Sequence, residues 1–291
     1  MNKILTEIGL CGIVPVIVID DKENAVPLAK ALVEGGLPVA EVTFRTKAAR
    51  ESIELISKAY PEMLIGAGTV LTIDQVKAAV DAGAKYIVSP GLNPKVVEYC
   101  VVNEISITPG IATPSDIERA LEFNLEVVKY FPAESLGGLD YLKAISAPYG
   151  NLKFIPTGGI DEIKLLPYLG FTKVLACGGT WMVKSHLIAE KKFDEIKSLT
   201  SRAITSMLGF ADNEGNSSNF SGGQIDLMKQ PNLEKNGHIA IGTNFIERAI
   251  AYLEKLGYKF NYETKSIKDG KLIAVYFESE LGGFVYHLLQ N

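Results

Sequence analysis

The chain has 291 residues, of which 47% are hydrophobic and 22% are charged, and its formal net charge is −5. This composition excludes a fibrous or wholly disordered protein, and the acidic balance gives no basic footprint for a nucleic-acid partner. The longest apolar run, residues 9–19, has about half the length that a membrane span needs. Cys11, Cys100 and Cys177 lie far apart in the sequence, and no signal-peptide pattern precedes them. Together these features predict reduced thiols in a cytoplasmic protein.

Short β-branched apolar runs alternate with amphipathic helical segments over residues 1–207, which we predict to be one α/β domain. The predicted strands are Ile13–Ile19, Val39–Thr43, Met63–Ala67, Tyr86–Val88, Ile105–Thr108, Leu125–Tyr130, Leu152–Pro156 and Lys173–Cys177. The predicted helices include Asn24–Glu34, Ala48–Tyr60, Ile73–Ala82, Pro94–Val101 and Ser115–Phe123. Continuous apolar strands indicate a parallel sheet, and eight such units favour a (β/α)8 TIM barrel over a flavodoxin-like open sheet.

The composition changes at residues 211–223, which are rich in Asn, Ser and Gly and predict a linker within 208–236. In this linker a short strand at Gln224–Lys229 is predicted to form a hairpin with Ser218–Phe220. Residues 237–291 predict a small α+β module with the element order βαβββ. Its elements are a strand at His238–Gly242, a helix at Phe245–Leu256, and strands near Tyr258–Tyr262, Leu272–Phe277 and Phe284–Leu289.

The second predicted strand carries charged residues on one face. Because side chains alternate along a strand, Glu41, Thr43 and Arg45 share a face. The structural alternative is an ion pair that closes the barrel, but a buried pair seldom gives net stability. Since active sites of this fold lie at the carboxyl ends of the strands, the pattern favours a ligand-binding role.

Lys129 lies in the sixth predicted strand, between Val127-Val128 and Tyr130-Phe131. Burial there favours the neutral amine, which is the nucleophile that forms a Schiff base with a ketone. The alternative is a lysine whose stem packs in the barrel while its ammonium reaches water. With Glu41 and Arg45 on a nearby strand, the catalytic role is favoured.

Pairs of glycines follow the last two predicted strands. They are Gly158-Gly159 and Gly178-Gly179, the second pair followed by the hydroxyl of Thr180. Glycine lets the backbone N–H groups approach an anion closely, and these two loops form the usual phosphate site of a (β/α)8 barrel. A single pair of glycines could equally make a tight turn, but two pairs in these two loops predict a phosphate site.

Over residues 4–207 the sequence resembles the family of 2-keto-3-deoxy-6-phosphogluconate (KDPG) and 4-hydroxy-2-oxoglutarate aldolases. The resemblance rests on seven runs in the family's order: EVTFRT, GAGTV, SPG, PGIATPS, KYFPAE, PTGGI and GGTWMV. It implies a homotrimeric barrel that cleaves a phosphorylated 2-keto-3-deoxy sugar acid through a lysine Schiff base, without a metal or another cofactor.

The resemblance also implies a role for each matching position. Lys129 would form the Schiff base and Glu41 would act as the general acid/base. The remaining positions would bind substrate: Arg45 and Thr69 at the carboxylate, Pro90, Phe131 and Thr157 along the substrate, and Gly158, Gly159, Gly178, Gly179 and Thr180 at the phosphate. The expected products are pyruvate and D-glyceraldehyde 3-phosphate.

Three alternatives stay open at this point. The substrate could be the isomeric phosphogalactonate derivative, or the unphosphorylated 4-hydroxy-2-oxoglutarate. The third alternative is a non-catalytic sensor of sugar-acid phosphates whose output passes through the C-terminal module. A binding protein needs neither Lys129 nor Glu41, so these two residues argue for the enzyme.

The C-terminal segment resembles a module of the glyoxalase/vicinal-oxygen-chelate superfamily. In that resemblance His238 occupies the metal-ligand position of the first strand, and Asp226 lies near the ligand position of a truncated preceding module. Tyr286 occupies the position at which the last strand should supply a glutamate. The next residue, His287, is expected on the face opposite to these ligand positions. Two candidate ligands do not make a three- or four-ligand site, so we predict a metal-free packing or dimerisation module.

Overall fold

The structure is a computed structural model that describes residues 1–210, 225–227 (backbone only), 238–280 and 284–291. Its contacts divide the chain into two compact units, Met1–Thr200 and Ser201–Asn291. The predicted linker at 208–236 lies mostly outside the described residues.

Eight parallel strands form the sheet of the first unit. They are β1 (Ile13–Ile17), β2 (Val39–Thr43), β3 (Leu64–Gly68), β4 (Tyr86–Ser89), β5 (Ile107–Ile111), β6 (Val127–Tyr130), β7 (Lys153–Pro156) and β8 (Cys177–Gly179). Their order in the sheet is β7-β6-β5-β4-β3-β2-β1-β8. Bridges from Phe154 to Val174 and from Thr157 to Gly178 join the two edges. The sheet is therefore the predicted (β/α)8 barrel.

Helices connect the strands, and several of them begin at a residue whose side chain caps a free backbone N–H group. They are α1 (Lys3–Cys11), α2 (Ala25–Glu34), α3 (Ala49–Ala59), α4 (Ile73–Asp81), α5 (Pro94–Val102), α6 (Pro114–Glu122), α7 (Gly138–Ser146), α8 (Glu162–Leu169), α9 (Ser185–Ala189) and α10 (Phe193–Leu208). Thr72 caps α4 by accepting a hydrogen bond from the Gln75 N–H, and Thr113 caps α6 in a capping box with Asp116. Within the described residues, no helix is both long and apolar enough to cross a bilayer.

Helix α1 was not predicted from the sequence, because the apolar residues of its C-terminal half continue without interruption into β1. Asn2 caps its first turn by accepting a hydrogen bond from the Leu5 N–H. Gly12 ends it with a left-handed backbone (φ 70°), a conformation that glycine adopts without steric cost. One glycine thus divides a single apolar run into a helix and a strand.

Strand β8 begins at Cys177, where the sequence predicted that the strand would end. Gly178 and Gly179 therefore lie inside the strand, paired with Val14 and Pro15 of β1, and not in the loop after it as predicted. The sequence pattern predicted a strand in the β-branched run before Cys177. The register with β1 instead determines which residues pair and close the barrel.

The described residues of the second unit form a five-stranded sheet and, after α10, one further helix. The elements are β9 (Ile225–Leu227), β10 (His238–Thr243), α11 (Ile246–Lys255), β11 (Phe260–Lys268), β12 (Lys271–Phe277) and β13 (Val285–Gln290), and the sheet order is β11-β12-β13-β10-β9. The predicted βαβββ order is thus present from β10 to β13. Strand β9 pairs antiparallel with β10, while the predicted hairpin partner Ser218–Phe220 lies outside the described residues.

Candidate active site

Lys129 and Glu41 meet inside the barrel. The Lys129 Nζ lies 3.1 Å from Glu41 Oε1 and 3.3 Å from Glu41 Oε2, and only 7% and 5% of the two side chains are exposed. Strands β6 and β2 are four places apart in the sheet, so the two side chains reach each other across the barrel interior. The pair brings an amine and a carboxylate into hydrogen-bond contact in a site with little water, as a nucleophile and its general acid/base require.

Glycine residues of β3 provide the space for this pair. Gly68 lies against the Glu41 carboxylate, because a Cβ atom at residue 68 would be 2.1 Å from Glu41 Oε1. Gly66, which pairs with Glu41 in the sheet, leaves room for the ring of Tyr86. The Tyr86 hydroxyl donates to the Ala40 carbonyl at 2.9 Å, and burial raises the pKa of this tyrosine. The small residues of the GAG run are thus explained by the side chains that fill the barrel beside them.

We expect Gly68→Ala to lower kcat/KM by about 10- to 100-fold, because the added methyl group displaces the Glu41 carboxylate from Lys129. Gly91→Ala is the matched control, since no described atom outside residues 90–92 lies within 4 Å of a Cβ atom at residue 91. Steady-state kinetics and thermal unfolding of both variants check the prediction. Equal activity of the two folded variants would contradict it.

Arg45 and Thr69 lie together after β2 and β3. The Arg45 Nε donates to Thr69 Oγ1 at 3.3 Å, and the arginine is exposed while the threonine is half-buried. Thr69 has a positive φ of 56°, which is uncommon for a β-branched residue and marks a strained turn. A guanidinium and a hydroxyl that face solvent in this way can bind a carboxylate.

The predicted apolar contacts lie at the same end of the barrel as the charged pair. The ring of Phe131, directly after β6, has its centroid 5.3 Å from Lys129 Nζ. Pro90 is half-buried after β4 and packs so closely on β5 that a Cβ atom at Gly110 would be 2.0 Å from the Pro90 carbonyl oxygen. Pro90 is thus held against β5, and Phe131 lies beside Lys129 of β6.

The predicted phosphate residues follow β7 and lie in and after β8. Thr157 is buried and its Oγ1 occupies the place where a side chain of Gly178 would lie. Gly158 and Gly159 have left-handed backbones (φ 103° and 80°). Thr180 is exposed at the end of β8. The structure thus brings both glycine pairs to neighbouring strands at the closing edge of the barrel.

Three residues behind the Gly158-Gly159 loop were missed by the sequence analysis. The Glu134 carboxylate accepts a hydrogen bond from the Tyr168 hydroxyl at 2.7 Å and pairs with Lys164 Nζ at 3.0 Å. Lys164 also donates to the Gly159 carbonyl at 3.1 Å. Glu134 ends the KYFPAE run, but a glutamate in a loop carries no local pattern that identifies its partners.

In the second unit His238 and His287 lie close together. The sequence predicted that these two histidines would lie on opposite faces, and the structure corrects that prediction. Strand β10 runs parallel to β13 with Ala240 opposite His287, so His238 and His287 share a face. Their ring centroids are 5.3 Å apart, and the Tyr276 ring stacks on His287 at 4.7 Å. Sequence alternation predicts the two faces within each strand, whereas the register between β10 and β13 sets which of those faces coincide.

The candidate metal ligands His238 and Asp226 belong to the neighbouring strands β10 and β9 of this unit. The backbone register between β9 and β10 places Asp226 opposite Ala240, and the side chain of Asp226 is not among the described atoms. His238 Nε2 and His287 Nδ1 are buried and have no hydrogen-bond partner among the described residues. No group of three His, Cys, Asp or Glu side chains that could hold a metal ion occurs in those residues.

We expect the second unit to lose stability as the pH falls from about 6.5 to about 4. Burial, with a smaller contribution from neighbouring His238, lowers the pKa of His287 from 6.5 to about 4. Between these values the unfolded chain binds a proton that the folded unit excludes, so unfolding is favoured as the pH falls. Calorimetry at pH 7 and pH 5 measures the shift, while fluorescence of Trp181, the single tryptophan, monitors the first unit.

His287→Phe retains an aromatic ring against Tyr276 and should remove this pH dependence. An unchanged pH slope in the folded variant would show that another group is responsible.

Comparisons with known proteins place the first unit in a family. The family model described as KDPG and KHG aldolase matches residues 4–199. A 2-dehydro-3-deoxy-phosphogluconate aldolase of Treponema pallidum is 47% identical over 192 residues, which cover 66% of this chain and 91% of that protein. The corresponding enzyme of Haemophilus influenzae is 44% identical over 203 residues, with 70% and 96% covered.

A solved structure agrees with these relatives. The KDPG aldolase of Legionella pneumophila, with pyruvate captured as a covalent carbinolamine, superimposes with a TM-score of 0.67 and 38% identity. The match covers 68% of this chain and 97% of that chain. The agreement of family model, relatives and fold leads to one conclusion: this chain belongs to the KDPG and KHG aldolase family.

Proposed function

We propose that the protein is a lyase that cleaves 2-dehydro-3-deoxy-6-phosphogluconate to pyruvate and D-glyceraldehyde 3-phosphate through a Schiff base on Lys129. The observation that carries this proposal is the buried contact of 3.1 Å between Lys129 Nζ and Glu41 Oε1. The relatives in Treponema pallidum and Haemophilus influenzae carry the name of this activity.

The first half of the reaction forms the imine. Glu41 accepts a proton from the Lys129 ammonium, and the free amine attacks the C2 ketone to give a carbinolamine. Glu41 returns the proton to the carbinolamine hydroxyl, which leaves as water, and the product is an iminium ion. The covalent carbinolamine of pyruvate in the Legionella pneumophila enzyme supports this order of steps.

The second half breaks the C3–C4 bond. Glu41, through a water molecule, takes the proton from the C4 hydroxyl, and the electron pair of the C3–C4 bond moves into the iminium to form an enamine. D-glyceraldehyde 3-phosphate leaves. The enamine takes the proton back from Glu41 at C3, and water hydrolyses the resulting imine, which releases pyruvate and restores Lys129.

The remaining residues hold the two ends of the substrate. Arg45 and Thr69 bind the carboxylate, and the charge-assisted hydrogen bonds of the guanidinium fix its orientation. Pro90, Phe131 and Thr157 contact the carbon chain. The phosphate binds at the closing edge of the barrel, at Gly158, Gly159, Gly178, Gly179 and Thr180. The neighbouring positions of β7 and β8 support this assignment.

Trapping with borohydride tests the Schiff base. Incubation with pyruvate and borohydride should reduce the imine and leave a pyruvate adduct on the peptide that contains Lys129, identified by mass spectrometry. Cleavage of the phosphorylated gluconate and galactonate derivatives and of 4-hydroxy-2-oxoglutarate then ranks the substrates, and we expect the first to be preferred. Absence of an adduct in folded protein would favour the sensor alternative.

We also propose that the barrel assembles as a homotrimer, as the family resemblance implies. Val101, Val102 and Leu121 support an assembled state, because these apolar side chains at the ends of α5 and α6 are 41%, 75% and 41% exposed. Sedimentation of the purified protein should give three times the mass of the chain, and a monomeric mass would contradict the proposal.

For the second unit we propose a glyoxalase-like packing module that binds no metal, in a chain divided into a barrel at 1–207, a linker at 208–236 and the module at 237–291. The order β10-α11-β11-β12-β13 supports the likeness. Metal analysis of the purified protein should find no stoichiometric ion, and a tightly bound metal would overturn this assignment.

A further inference from the structure

A hydrogen-bonded network lies behind the Gly158-Gly159 loop. The Lys164 ammonium, from the first turn of α8, donates to the Gly159 carbonyl at 3.1 Å. The same ammonium pairs with Glu134 Oε2 at 3.0 Å, and Glu134 Oε1 accepts from the Tyr168 hydroxyl at 2.7 Å. The network therefore links the loop after β7 to two positions of helix α8 through the loop after β6.

The backbone of the same two loops is joined by hydrogen bonds. The Ala133 N–H donates to the Thr157 carbonyl at 2.8 Å and the Glu134 N–H donates to the Gly158 carbonyl at 3.1 Å. With Lys164 on the Gly159 carbonyl, three successive carbonyl groups of this loop accept hydrogen bonds. Glycine at 159 is needed, because a Cβ atom there would be 2.7 Å from the Glu134 Cβ.

The charges of the network agree with this arrangement. The hydrogen bond to Glu134 raises the pKa of Lys164, so the lysine stays an ammonium and donates to both oxygen acceptors. Burial, followed by the Glu134 carboxylate, raises the pKa of Tyr168, so its hydroxyl stays a donor. Tyr168 is 2% exposed, which anchors one end of the network in the core.

We propose that Glu134 and Lys164 are positioning residues for the phosphate site: the pair fixes the Gly158-Gly159 loop in the conformation that binds the phosphoryl group and thereby sets the preference for phosphorylated substrates. This inference rests on the proposed function. Neither residue contacts the reacting atoms. The effect of the pair therefore falls on substrate binding and leaves the chemical steps at Lys129 unchanged.

Lys164→Met tests the proposal, because it removes the ammonium and keeps the packing of the stem. We expect the KM for 2-dehydro-3-deoxy-6-phosphogluconate and the inhibition constant of inorganic phosphate to rise about tenfold, with kcat changed less than about twofold. The KM for the unphosphorylated analogue and the yield of the borohydride-trapped pyruvate adduct should not change. Glu134→Gln should shift the same two constants in the same direction.

The Lys197–Glu34 pair provides a matched control. Its atoms are 2.8 Å apart and its side chains are 45% and 42% exposed, against 42% and 29% for Lys164 and Glu134. Lys197→Met should leave every constant unchanged. Equal losses on phosphorylated and unphosphorylated substrates in Lys164→Met, or no change on either, would overturn the proposal. Failure of the proposed function would be visible separately, as a wild-type protein that neither traps pyruvate nor cleaves the substrate, and it would overturn this inference as well.

Discussion

Replacement of Lys129 by alanine should abolish turnover, with a loss of at least about 10⁴-fold in kcat, and should eliminate the borohydride-trapped pyruvate adduct. The physical reason is that no other described amine lies within hydrogen-bond distance of Glu41. Kinetics on the phosphorylated substrate and mass spectrometry of the trapped protein measure the two losses together.

The controls separate chemistry from folding. Removing one partner of a buried ion pair costs about 3–5 kcal/mol, because Glu41 would keep its charge without a counter-ion. Lys129→Arg keeps a positive charge next to Glu41 but offers no nucleophilic amine, so it should be inactive and more stable than the alanine variant. Lys153→Ala, which removes a lysine at the first residue of β7, should stay active. An adduct that persists in the alanine variant would refute the assignment of Lys129.

Glu41→Gln should lower kcat by about 10²- to 10⁴-fold while the protein still forms the pyruvate adduct, though more slowly. Glutamine has the shape of glutamate and accepts a hydrogen bond from Lys129, but it cannot carry a proton between the amine, the carbinolamine and the C4 hydroxyl. Single-turnover measurements with pyruvate and steady-state rates with the full substrate distinguish the two effects.

Glu54→Gln is a suitable control for this variant, because Glu54 pairs with Lys58 and Arg50 on the outer helix α3. It should keep wild-type rates. If the Glu41→Gln protein is folded and retains full kcat, the proton transfers must be made by another group, and the role given to Glu41 is wrong.

Local sequence patterns were enough to predict the repeating unit of the barrel and the strands that carry the chemistry. Val39–Thr43 was predicted with the observed bounds, because alternation within a strand is a local property of the chain. Lys129 and Glu41 were each identified as a charged residue in an otherwise apolar strand, and their combination favoured a catalytic role. The runs of the aldolase family then assigned their roles, and the comparisons confirm the family.

Contacts between residues that are distant in the sequence became visible only in the folded chain. Lys129 and Glu41 are 88 residues apart, and only closure of the sheet brings them to 3.1 Å. The register between neighbouring strands places Gly178 and Gly179 inside the last barrel strand, and it places His287 on the same face as His238. The link from Glu134 to Lys164 follows from the packing of α8 on the loop after β6. Local patterns fix periodicity and propensity, but register and long-range packing are set by the whole fold, and sequence patterns alone did not reveal these contacts.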